Sequence, residues 1–154
     1  MKKRIAYIIT YFFTVFLIFV CQKPVFMLYN EMAEKGAGTG DMLQVILHGA
    51  SLDATTAGYF TALPFLLAMI SIWTSKFPFK KLLLPYYIIA SLIIAVIFVV
   101  DMGLYPFWGF KLDASIFLYL DSPKEAMASV SLGFILIRVA VMLLLTILEV
   151  WVMM

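Results

Sequence analysis

Four long apolar runs divide the sequence and leave a water-soluble fold almost no room. They cover about 5–29, 57–75, 82–100 and 127–152. Crossing the ~30 Å hydrocarbon core takes about 20 largely apolar residues in a helix, so each run is long enough to be a span. Composition agrees, with 65% hydrophobic and 13% charged residues and a mean hydropathy of +1.07. A soluble domain carries about 25% charged residues. The expected fold is all-α: a polytopic membrane helical bundle forming a single transmembrane domain over 1–154. It has four transmembrane helices plus short outer interfacial helices.

The chain opens on Met1-Lys-Lys-Arg4 and enters its first run at Ile5. A secretory leader begins the same way, but no small-x-small cleavage site follows. Phe19 and Val20 also stand where a lipoprotein site before Cys21 needs small residues. The first run is therefore read as an uncleaved span. Glu31 to Asp41 is a glycine-rich polar loop. Residues 42–48 form a short interfacial helix that stops at Gly49, a suitable C-cap. Asp53, just before Ala54-Thr-Thr-Ala57, is placed as the N-cap of the second span. Pro64 interrupts that span, where neighbours must satisfy the carbonyl it frees. The third span stops at Asp101. Ser122, Pro123 and Glu125 form a capping box, so the last helix is expected to start at Pro123 and enter the membrane near 127.

Basic residues near span ends set the orientation. Lys2, Lys3 and Arg4 precede the first span, and Lys76, Lys80 and Lys81 lie between the second and third. Both termini are accordingly placed in the cytoplasm. The segment 110–120 carries Leu112, Ile116, Phe117, Tyr119 and Leu120 on an apolar face, after Tyr105, Phe107 and Trp108. Aromatic amphipathic segments rest at the headgroup boundary, so 110–120 is the second outer interfacial helix.

Several function classes are excluded. A net charge of +2 without a basic patch argues against nucleic-acid binding. One cysteine and one histidine exclude a disulfide and a multi-histidine metal cluster within this chain. Gly36-Ala-Gly-Thr-Gly40 lacks the Lys-Ser or Lys-Thr of a phosphate loop. A transport path would show broken helices or several intramembrane polar residues, and only Pro64 and Arg138 stand out.

Two motifs point to a family. They are Leu43-Gln-Val-Ile-Leu-His-Gly49 with Leu52-Asp53 and Ala57-Gly-Tyr59, and Tyr105-Pro-Phe-Trp-Gly-Phe-Lys-Leu-Asp113 with Ser122-Pro-Lys-Glu125. Together with the order of spans, over essentially the whole chain, they resemble the N-terminal membrane domain of lipoteichoic-acid-synthase-like proteins. These are phosphoglycerol transferases of the sulfatase and alkaline phosphatase superfamily. The resemblance implies a bacterial-type cytoplasmic membrane and transfer of glycerol phosphate from a phosphatidylglycerol-type lipid. Phosphoethanolamine transferases share a similar layout. Family members have five spans and then an extracellular hydrolase-like domain, which carries a threonine nucleophile and a divalent metal. Here four spans are seen, and no residue matches a catalytic position. The expectation is a membrane-anchoring, lipid-presenting domain, non-catalytic as it stands, with no cofactor or metal of its own. Its partners would be membrane lipids, an anionic phospholipid among them, and a separate catalytic domain. The alternative is a small integral membrane protein that binds a partner, such as an assembly factor or transporter subunit, through Arg138 and Glu149.

Five residues stand as lipid- or partner-binding candidates. Arg138 is the costliest to place, since a central arginine costs ~2.5–3.5 kcal/mol on insertion scales. It could hold a lipid phosphate, pair with Asp101, or snorkel to the outer surface. Asp101, His48, Asp53 and Asp113 complete the set. His48 lacks the orienting partner that a general base needs, and capping explains Asp53 and Asp113. Glu149 is placed near the cytoplasmic boundary. Thr55 and Thr56 have no base beside them in sequence.

Overall fold

The computed structural model describes residues 2–30, 38–73, 79–109, 111–112 and 131–154. Four helices account for nearly all of them: α1 (Lys2–Tyr29), α2 (Thr39–Trp73), α3 (Phe79–Trp108) and α4 (Leu132–Met153). All four are long and apolar enough to cross a membrane. They run alternately up and down. Arg4, Ser71 and Phe79 share one end of the bundle, whereas Tyr29, Tyr105 and Phe134 share the other.

Each helix buries one stripe and leaves large apolar side chains outside, as lipid permits. In α2 the buried positions are Asp53, Ala57, Thr61, Pro64, Ala68 and Ser71, a helical period of three or four. In α3 they include Leu83, Tyr87, Ala90, Ile94, Phe98 and Met102. Ala57, Ala68, Ala90 and Ser91 are small, and small residues let membrane helices approach closely. The bundle is built of two antiparallel pairs, α1 on α2 and α3 on α4, which meet along a narrower seam.

The second span and the 42–48 segment form one continuous helix of 35 residues, about 52 Å long. Gly49 therefore does not cap a helix, and Asp53 is not an N-cap but lies fourteen residues into α2. Its local signal was genuine, yet backbone hydrogen bonding continues through it. Lys23 pairs with Asp53, so the two helices are level there. Since α1 ends six residues later, roughly eight residues of α2, about 12 Å, project beyond it.

Pro64 removes the N–H that would bind the carbonyl of Phe60. Tyr86 of α3 supplies the replacement, its hydroxyl donating to Phe60 O at 2.5 Å. Arg4 acts similarly at the end of α2, donating to Ser71 O at 2.7 Å, one of the last-turn carbonyls left without a helical donor. Tyr86→Phe is expected to cost ~1 kcal/mol, within the range of interhelical hydrogen bonds in membranes. In a Pro64→Ala background the helix regains its own donor and the same change should become almost neutral. Unfolding of both single variants and the double variant in bicelles measures that coupling. Equal costs in the two backgrounds would contradict it.

Two boundaries differ from expectation. The third span does not stop at Asp101; α3 continues to Trp108 and closes on Gly109, whose φ of 70° suits glycine. Gly109 N–H donates to Tyr105 O at 2.8 Å. Ser131, with extended backbone, caps α4 by accepting from Phe134 N–H at 3.2 Å. A helix begun at Pro123 thus does not run unbroken into the last span. The capping box at 122–125 and most of the interfacial segment 110–120 lie outside the described residues.

Candidate functional site

Arg138 sits two turns into α4, and its surroundings are aromatic. Its Nη2 donates to the hydroxyl of Tyr29, the last residue of α1. The guanidinium lies 4.9 Å from the Tyr29 ring centre and 4.7 Å from that of Phe134. Such stacking holds a cation by the negative face of the ring. Gly103 of α3 faces both side chains, and a Cβ there would meet Phe134 Cζ at 3.6 Å and Arg138 Nε at 3.7 Å, ordinary contact distances.

Beside this guanidinium runs an apolar groove between α3 and α4, of about 210 Å³. Val99, Gly103, Phe134, Val139 and Met142 line it, with Arg138 its only charged wall among the described residues. An anchored cation at the edge of an apolar trough of this size can take the phosphate of a lipid with part of an acyl chain in the groove. Guanidinium geometry suits that task, presenting several donors to phosphate oxygens.

The pairing of Arg138 with Asp101 is not made. Asp101 instead accepts from Leu112 N–H at 2.7 Å, which folds the segment after α3 back along that helix. Lys111, next to it, lies 4.3 Å from the ring centre of Phe26, which itself packs edge-on against Tyr105. Lys111 and Arg138 therefore both stack on aromatic residues near the end of α1.

The other candidates lie apart. Asp53 is buried in an ion pair with Lys23, and Gly49 makes room for that lysine. His48 is exposed on α2, level with the last turn of α1, its Nδ1 2.8 Å from Gln44 O. Thr55 and Thr56 donate to carbonyls one turn back, each at 2.9 Å. Asp113 lies outside the described residues. Glu149, expected at a membrane boundary, is buried in the seam. Its Oε1 accepts from Gln22 Nε2 at 3.4 Å. Among the described residues no three His, Cys, Asp or Glu side chains gather to hold a metal.

Sequence reasoning missed Tyr29, Gly103, Lys23 and Gln22 as members of these constellations. All four act across helices, and only the register between helices reveals them. A signal existed for Asp53 and Glu149. Asp53 continues the period of Ala57, Thr61 and Pro64, and Glu149 that of Thr146 and Met153.

These features define a multi-pass membrane protein with an all-α bundle, of four helices among the described residues. No family model, no curated protein and no solved structure matches the chain.

Proposed function

We propose that this chain anchors in a bacterial-type cytoplasmic membrane and presents an anionic phospholipid. In this role it acts as the membrane domain of a lipoteichoic-acid-synthase-like phosphoglycerol transferase. The observation that carries the reading is Arg138, held by Tyr29 at the edge of an apolar groove, with no carboxylate within ion-pair distance among the described residues. The motifs at 43–59 and 105–125 support the family, and the basic residues at 2–4, 76 and 80–81 support cytoplasmic termini. Chemistry on the lipid is assigned to a separate catalytic domain with its own divalent metal, not to these four helices. Reading Arg138 and Glu149 as a partner contact is less well supported, because Glu149 is buried against Gln22 of α1 and offers a partner no surface.

Lipid retention by the full chain tests the proposal. In nanodiscs mixing phosphatidylglycerol and phosphatidylcholine, the purified protein should retain phosphatidylglycerol preferentially. Arg138→Ala should weaken that retention about tenfold, ~1.4 kcal/mol, with Arg138→Lys in between. Equal retention of the two lipids, or no loss in Arg138→Ala, would overturn it. Release of diacylglycerol by the chain alone would move the chemistry into these helices.

A further inference from the structure

Glu149 is the one acidic side chain of the seam whose charge the described residues leave unanswered. It is only 5% exposed. One oxygen takes a long bond from the neutral amide of Gln22, and Oε2 has no hydrogen-bond partner among the described residues. Bare charge buried in a membrane is costly, and intramembrane carboxylates face a partner or mark an ion pathway. The cations of the bundle are engaged elsewhere: Lys23 of α1 by Asp53 of α2, and Arg138, three turns away on α4, by Tyr29.

We infer that Glu149, with Gln22 beside it, holds a small monovalent cation, a proton or Na⁺, in the seam between α1 and α4. The unpartnered donor is a carboxylate oxygen, Oε2, which suits a hard ion. Gln22 holds the other oxygen, Oε1, through its Nε2 at 3.4 Å and so fixes the carboxylate. Thr146, one turn before Glu149 and likewise buried, keeps lone pairs on a hydroxyl that donates to Met142 O at 2.8 Å. A single carboxylate neutralises one positive charge. A divalent ion would leave net charge in lipid, and the described residues offer it no cluster of ligands.

The depth fits an ion held away from either surface. Gln22 lies seven residues, about 10 Å, from the end of α1 and twenty residues, about 30 Å, from its start. Of the other titratable and charged groups on the packed elements, Arg4 donates to Ser71 O, Tyr7 shares a hydrogen bond with Tyr87, and Tyr86 donates to Phe60 O. Tyr105 packs on Phe26, and Lys2, Lys3 and Lys81 are exposed. Tyr11 of α1 and Tyr87 of α3 stack on each other at 5.4 Å, in the cluster that also holds Met153. Asp101 of α3 binds Leu112, and Cys21 of α1 is exposed. The site is independent of the lipid reading, since it shares no residue with the Arg138 groove.

The test uses the full chain in nanodiscs and compares wild type with Glu149→Gln. Unfolding midpoints are measured across pH, and in Na⁺ against choline at matched ionic strength. The wild type should respond to one of these variables, and Glu149→Gln should not. Labelling with dicyclohexylcarbodiimide, which attacks protonated carboxyls in apolar surroundings, then separates the two ions. For a proton, labelling at Glu149 falls about tenfold per pH unit on the alkaline limb, equally in Na⁺ and choline. For Na⁺, labelling is suppressed by Na⁺ and spared by choline. Midpoints of the two proteins that respond alike to both variables would overturn the inference.

Discussion

Asp53→Ala is expected to destabilise the bundle by about 3–5 kcal/mol, the cost of leaving a buried charge without its partner. Lys23 and Asp53 face each other across α1 and α2, with side chains only 14% and 9% exposed. Removing the carboxylate leaves a largely buried ammonium without its counter-charge. The pair itself need not add net stability, because desolvation offsets its attraction. The charge-free double variant Lys23→Met/Asp53→Leu should therefore recover most of the loss. Unfolding of the purified protein in bicelles measures all three. A cost below about 1 kcal/mol for Asp53→Ala, the scale of an exposed pair, would mean that Lys23 finds water or a lipid phosphate unaided.

Gly49→Leu should cost about 3 kcal/mol, through the same pair but from the other side. Overpacking alone typically costs about 1–3 kcal/mol. A Cβ at Gly49 would sit 2.8 Å from Lys23 Cε and closer still to Nζ. An unengaged lysine would swing away at little cost. This one is tied to Asp53, so it cannot yield without breaking the ion pair. The effect should then largely vanish in the Lys23→Met/Asp53→Leu background. A full cost in that background would locate the clash in the helix backbones instead. Gly49→Ala, with less bulk, should show the same dependence at smaller size.

The spans were legible because lipid imposes a coarse, local rule: a long run of apolar residues must cross. The starts and stops were less so. Gly49 and Asp53 each matched a terminus signal, yet α2 runs through both. Their residue types answer to Lys23, thirty positions earlier than Asp53 in the chain. Local rules judge an aspartate by its nearest backbone N–H groups and carry no knowledge of a lysine on another helix. Pro64 shows the opposite case. Its need for a neighbour to satisfy a freed carbonyl was readable from the sequence, while the identity of that neighbour, Tyr86, was not.

The candidate site follows the same division. Arg138 was conspicuous because a charge in an apolar run is conspicuous. Its anchor could not be read, since Tyr29 is 109 residues away and resembles any interfacial tyrosine. Asp101 looked a natural counter-ion by height in the membrane. It binds Leu112 instead, because the chain turns back at Gly109 and brings an unpaired N–H to it. Glu149, eleven residues after Arg138, was placed near the cytoplasmic boundary. The contact with Gln22 depends on how far α4 is shifted along α1, which no single helix encodes.

The Lys23–Asp53 pair also has a consequence for how the protein is made. Lys23 leaves the ribosome before its counter-charge exists, and six residues from the end of α1 it must reach the headgroups or bear part of the ~2.5–3.5 kcal/mol that a lysine costs at a helix centre. Asp53 follows thirty residues later, which at about 5–20 residues per second is a delay of roughly 1.5–6 s. During that interval α1 is poorly suited to leave the translocon by itself. It becomes fit for lipid when α2 arrives beside it and Lys23 finds Asp53. The first hairpin is thus expected to behave as a unit of biosynthesis, its two helices released together.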